Sequence, residues 1–116
     1  MHVFIIDDNS LHLKMCRILL EKLSHDVTTA NSMADIKKRV DSVKSPEIAL
    51  VDFRLEPGVT GVDVLNFLKP KWPATKFIAL TADVGEKSYI DDSGFDGIIF
   101  KPVTESLLVD TLRKYV

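Results

Sequence analysis

Residues 48–52 read IALVD, four apolar residues that end in a carboxylate. An unbroken apolar run of this length fits a strand covered on both faces, since a strand with one wet face alternates apolar and polar residues. The pattern recurs along the chain. VFII precedes Asp7 and Asp8, FIAL precedes Thr81, and IIF precedes Lys101. The intervening segments have helical spacing, and short strands alternating with helices predict an α/β fold with a doubly wound, five-stranded parallel sheet. In such sheets ligands bind in the crevice outside the carboxyl ends of the strands. Three acids, a hydroxyl and an amine from four distant stretches are therefore expected to meet in one pocket.

The remaining organisation is built around these runs. Asn9 or Ser10 caps a first helix, with Leu11, Met15, Ile18 and Leu19 expected inward and His12, Lys14 and Arg17 exposed. Asp26 to Ala30 alternates weakly and suits a more exposed second strand. Ser32 with Asp35 resembles a helix-capping pair, and Met33, Ile36, Val40 and Val43 mark the second helix. Pro57, Gly58 and Gly61 punctuate a loop before a third helix carrying Val62, Leu65 and Leu68, which Pro70 and Pro73 end. Val84 to Ser93 reads poorly as a helix. Its large apolar residues are Val84, Tyr89 and Ile90, so it is expected to be mobile in the unmodified protein. Thr104 caps a last helix with Leu107, Leu108, Leu112 and Tyr115 inward.

The 116 residues fit a single domain, 1–116, and 46% hydrophobic content is enough for a proper core. A formal net charge of -2 offers no basic field for nucleic acid, so no direct nucleic-acid binding is expected. Lys37, Lys38, Arg39 and Lys44 on one side, and Asp83, Glu86, Asp91, Asp92 and Asp96 on the other, read as solvated faces. The single cysteine, Cys16, excludes an intrachain disulfide and reads as a small helix residue rather than a redox centre. The opening MHVFII has no basic leader, and no long apolar segment follows. A cytoplasmic protein with no membrane span is therefore expected.

Each site residue has a plainer reading taken alone. Asp7 and Asp8 could be a surface or capping pair, Asp52 a turn aspartate, Lys101 before Pro102 a loop lysine, and Thr81 a packing β-residue. Together they form a specific set. Three carboxylates in one pocket repel each other, and a divalent cation relieves that conflict. All-oxygen ligands favour Mg²⁺ or a similar hard ion such as Mn²⁺.

The stretches FIIDDN, IALVDFRL, FIALTA and IIFKPV, in this order and spacing, resemble the response-regulator receiver domain of two-component and phosphorelay signalling. The resemblance covers essentially the whole chain. It implies a flavodoxin-like sheet of order 2-1-3-4-5. It implies that Asp52 is the phosphoacceptor, that Asp8 is a direct metal ligand and Asp7 its companion, and that the backbone carbonyl of Arg54 supplies a further ligand. Thr81 and Lys101 match the family's hydroxyl and amine. The implied partner is a histidine kinase or a histidine phosphotransfer protein, with the chain a monomer or weak dimer. Three departures stand out. Ile98 occupies a position that is often aromatic, the Thr81-to-Lys101 stretch is about two residues short, and the Arg54-to-Gly61 loop is about one residue long. Two alternatives are a Mg²⁺-dependent phosphohydrolase of the haloacid dehalogenase type and a flavodoxin-like interaction module without phosphorylation. The first prefers aspartates spaced by one residue, whereas Asp7 and Asp8 are adjacent.

Overall fold

The computed structural model describes residues 1–115. With strands numbered in chain order, β1 (His2–Ile6), β2 (Asp26–Ala30), β3 (Ile48–Asp52), β6 (Lys76–Thr81) and β7 (Gly97–Phe100) form one sheet. Its order is β2-β1-β3-β6-β7 and every neighbouring pair is parallel. This is the expected 2-1-3-4-5 order once the separate hairpin of β4 (Arg54–Glu56) and β5 (Val59–Thr60) is set aside. β1 and β3 are central, and the apolar side chains of both runs are fully buried, which is why neither run alternates.

Successive side chains point to opposite faces of the sheet and seed two cores. Phe4, Ile6, Ala49 and Val51 face α2 (Met33–Arg39), α3 (Gly61–Leu68) and α4 (Lys87–Asp92), where Ile36, Leu65, Leu68 and Ile90 are buried. Trp72, just past α3, packs edge-on against Phe4 with ring centroids 5.2 Å apart. Val3, Ile5, Ile48 and Leu50 face the other way, onto Leu13, Cys16 and Leu20 of α1 (Ser10–Lys22) and Leu108 and Leu112 of α5 (Glu105–Tyr115). Among the described residues no helix is long and apolar enough to cross a membrane.

The caps form as the sequence suggests. Asn9 accepts from the His12 N–H, Ser32 from Asp35, and Thr104 from Leu107. Several inward faces require correction. On α1, Leu11, Met15 and Ile18 are 66%, 52% and 55% exposed, and Leu19 is only half-buried. The helix carries two apolar stripes, 11-15-18 and 13-16-20, both with helical spacing. Periodicity cannot choose between them, and the sheet selects the one containing Cys16. Val64 joins Leu65 and Leu68 in the core while Val62 is half-buried. On α5, Leu107 faces partly outward and Thr111 is buried, its hydroxyl donating to the Leu107 carbonyl.

The loop expected after Asp52 is instead a hairpin. Its tip is Pro57–Gly58, with Gly58 at φ 79, the left-handed geometry that the second central residue of a type II turn requires. Thr60 then forms a capping box with Asp63 and starts α3. The Val84–Ser93 segment is a 3₁₀ turn, Val84–Glu86, followed by the two-turn α4. Ile90 is its one buried side chain, while Val84 and Tyr89 are 70% and 59% exposed.

Gly97 opens β7 beneath the Tyr115 ring of α5. A Cβ at this position would lie 2.5 Å from the Tyr115 hydroxyl oxygen. Gly97→Ala must expel the Tyr115 ring and is expected to cost about 1–3 kcal/mol, as overpacking does. Urea unfolding measures this, and a midpoint at or above that of the parent chain would contradict the close approach.

Candidate functional site

The carboxyl ends of β1, β3, β6 and β7 bring Asp7, Asp8, Asp52, Thr81 and Lys101 together, as the sequence predicts. Asp7 follows Ile6, and its N–H still donates across the sheet to Ala30, so its backbone continues the strand pairing. Its carboxylate is fully buried. One oxygen accepts the Asn9 N–H at 3.0 Å and the other accepts from His12 Nδ1. Asp8, the next residue, is exposed at the mouth. Asp52 ends β3 and is 5% exposed. Oxygens of Asp7, Asp8 and Asp52 lie within 4.8 Å of one another, a hard, all-oxygen donor set that fits Mg²⁺ or Mn²⁺.

Lys101 is held by its own backbone, whose N–H donates to the Thr81 carbonyl at 2.8 Å. Its ammonium reaches Asp52 Oδ1 at 3.2 Å and Asp7 Oδ2 at 3.7 Å, so one cation serves two buried acids. Thr81 ends β6 with its hydroxyl pointing into the same pocket, and that oxygen also accepts the Asp83 N–H. Arg54 begins β4 two residues past Asp52, with its N–H 3.4 Å from Asp52 Oδ1. Asp52, Arg54, Thr81, Asp83 and Lys101, together with Ala82 and Glu86, line a pocket of about 290 Å³.

Two residues here were read otherwise from the sequence. His12 sits among the exposed helix residues by spacing, yet its ring turns back onto Asp7 and is largely covered. The first turn of α1 starts beside the β1 end, which brings a residue five positions after Asp7 back to it. Glu86 belongs to an acidic stretch that reads as solvated, but its side chain is 10% exposed and enters the pocket. It accepts from the Thr81 hydroxyl at 2.8 Å and pairs with the Arg54 guanidinium. Asp96 is exposed, as that reading has it, while its carboxylate also accepts the Phe77 N–H and ties the β7 approach to β6. Ile98 pairs with Ala79 in the sheet and is half-buried against the core, outside the pocket lining.

The electrostatics separate the two buried acids. Burial pushes the Asp52 carboxyl up, and the negative Asp7 beside it pushes further, to about 6 despite Lys101. Burial also acts upward on Asp7. There the Asn9 N–H, His12 and Lys101 outweigh it and hold the carboxyl below its ordinary value. Cys16 lies behind them, its thiol raised by burial to about 11, which keeps it protonated and unreactive.

A raised carboxyl costs stability once it ionises. The folded chain binds the Asp52 proton more tightly than the unfolded chain, so the penalty is absent below the ordinary carboxylate range and grows as pH rises through about 6. Asp7 acts in the opposite sense, and its contribution is lost as pH falls through its lowered value. In chelator, Asp52→Asn is expected to melt several degrees above the parent at about pH 7.5, with the gain, roughly 2–3 kcal/mol at most, vanishing toward about pH 4. Calorimetric melting across that range checks it, and a gain independent of pH would contradict the origin assigned.

The comparisons with known proteins agree with this arrangement. The family model described as the response regulator receiver domain matches residues 3–113. The polar-differentiation response regulator DivK of Brucella anthropi is 28% identical, over 98% of this chain and 94% of its own length. Among solved structures, the chemotaxis protein CheY4 of Vibrio cholerae superposes with TM-score 0.87 at 19% identity, covering 99% of this chain and 98% of that one. The response regulator TrrA of Thermotoga maritima, solved in complex with Mg²⁺–BeF, superposes with TM-score 0.85 at 19% identity and the same coverage. The phosphohydrolase alternative draws no support from these relatives. With its fold, strand order and converging strand-end residues, the chain belongs to the response regulator receiver domain family.

Proposed function

We propose that residues 1–116 act as one receiver domain that accepts a phosphoryl group on Asp52 and signals through the resulting change in its surface. The observation that carries this reading is the position of Asp52. It is a nearly buried carboxylate at the floor of an open pocket, with the Lys101 ammonium at 3.2 Å from one of its oxygens. With its carboxyl near 6, Asp52 is ionised at neutral pH yet poorly solvated, which suits a nucleophile. Its oxygen forms a bond to phosphorus as the bond to the donor's imidazole nitrogen breaks, and the electron pair leaves with that nitrogen. Lys101 balances charge on the transferred oxygens, and the Thr81 hydroxyl is a donor within the same pocket. Asp7, Asp8, Asp52 and the Arg54 carbonyl would hold Mg²⁺ or Mn²⁺, which when bound supplies charge neutralisation at the phosphoryl oxygens. Attack of water on the acyl phosphate returns free Asp52 and inorganic phosphate.

The donor in this reading is a histidine kinase or histidine phosphotransfer protein in the cytoplasm. Its docking surface would be the outer face of α1, where Leu11, Met15 and Ile18 form an exposed apolar stripe flanked by Lys14 and Arg17. The stripe starts beside Asp8 and Asn9, so a donor seated on it lies next to the pocket.

The test is intact-mass spectrometry after incubation with a small phosphodonor and Mg²⁺, then with a protein donor. The expected result is a single phosphoryl adduct, absent in Asp52→Asn. Lys14→Glu or Arg17→Glu should slow transfer from the protein donor about tenfold and leave the small donor unchanged. An adduct that persists in Asp52→Asn overturns the acceptor assignment, and equal slowing with both donors overturns the docking face.

A further inference from the structure

Resting on the phosphoacceptor reading, we propose that Glu86 is a built-in occupant of the space the phosphoryl oxygens need. In this view Thr81 and Arg54 hold it there as a latch, and its displacement carries the state of Asp52 to α4.

The geometry is unusual for a glutamate on a short surface turn. Its side chain is 10% exposed, although its neighbours Val84 and Tyr89 project into solvent. It shares the pocket with Asp52 and Lys101. Its two oxygens have different partners. Oε1 accepts the Thr81 hydroxyl at 2.8 Å, and Oε2 pairs with the Arg54 guanidinium.

A threonine hydroxyl carries one proton. While Thr81 donates it to Glu86, it cannot donate it to a phosphoryl oxygen, so the two acceptors compete for one donor. A phosphoryl group on Asp52 also replaces the single charge of the carboxylate with about -1.5 to -2, a net gain of up to about one negative charge within the same poorly screened pocket. Repulsion and the lost donor act in the same direction, and both eject the Glu86 carboxylate. Arg54 is 70% exposed and among the described residues pairs with no other acid, so it can follow either anion.

The mechanical consequence follows from where Glu86 sits. It is the last residue of the 3₁₀ turn and directly precedes α4, which buries only Ile90. The short segment that reads as unanchored from sequence is therefore tied to the site by this carboxylate, with the Tyr89 ring edge-on to Phe53 at 5.7 Å and the Asp83 N–H on the Thr81 oxygen as weaker contacts. Cutting that tie leaves a two-turn helix with a single buried anchor, and such a segment opens at low free-energy cost. The latch implies the direction opposite to that expected from sequence: the segment is held in the unmodified chain and loosens when the phosphoryl group arrives.

The experiment is titration of the full chain with beryllium fluoride in saturating Mg²⁺, a tetrahedral stand-in for the phosphoryl group. Affinity is read by ¹⁹F NMR, and amide exchange of residues 84–93 is read alongside. Glu86→Ala removes the competitor and should tighten binding about tenfold, the scale of one charge-assisted contact. Glu86→Gln keeps an acceptor for Thr81 without the charge and should fall between. In the parent chain, exchange at 84–93 should accelerate on adding the mimic. In Glu86→Ala it should be fast from the start and stay so. Equal or weaker binding in both variants overturns the latch, as does slower exchange in the parent with the mimic bound. If no form binds the mimic, the acceptor reading itself fails and the latch falls with it.

Discussion

Two buried carboxylates, Asp7 and Asp52, share one ammonium. Lys101 lies 3.2 Å from the first available oxygen of Asp52 and 3.7 Å from Asp7, and with Asp8 at the mouth the three acids face a single positive charge. The fold tolerates this because the acids stand at strand ends, where the backbone is fixed by sheet pairing and the side chains cannot retreat to solvent. The same positions make the pocket reactive. Asp7 is satisfied by an N–H and a ring nitrogen, while among the described residues Asp52 accepts from Lys101 and, at 3.4 Å, from the Arg54 N–H. Of the two acids, Asp52 is the one left poised to take another partner.

Much of this was legible in the sequence because burial on both faces leaves a plain trace. IALVD and VFIIDD can hardly be anything other than central strands, and residues just past them must sit in the crevice. Asp7, Asp8, Asp52, Thr81 and Lys101 follow from that single rule. The choice of helix face did not. Leu11, Met15 and Ile18 are as well spaced as Leu13, Cys16 and Leu20, and only the position of the sheet distinguishes them. The hairpin after Asp52 was hidden for another reason, since its strands are three and two residues long and leave no periodicity to read.

His12 and Glu86 mark the limit of spacing arguments at the site. Both are charged or titratable residues on helical segments, where solvent is the usual destination. Each is instead turned inward by a strand-end residue five positions earlier, a separation outside the three-or-four spacing of a helix face, His12 by Asp7 and Glu86 by Thr81 together with the distant Arg54. The acid pair is steadied from α1 by an imidazole, and the hydroxyl on β6 is already engaged. Ile98 contributes core packing and lies outside the pocket lining.

Asp7, Asp8 and Asp52 would hold one divalent ion, which would relieve their charge conflict. Calorimetric titration with Mg²⁺ at neutral pH and low salt tests it most directly, in the parent chain and in Asp8→Ala. Asp8 is exposed, so its removal leaves the Lys101 pairs intact. One weak site is expected in the parent, weak because water keeps most of the coordination positions, and its loss is expected in the variant. Unchanged affinity in Asp8→Ala, or no saturable binding in the parent, would contradict it.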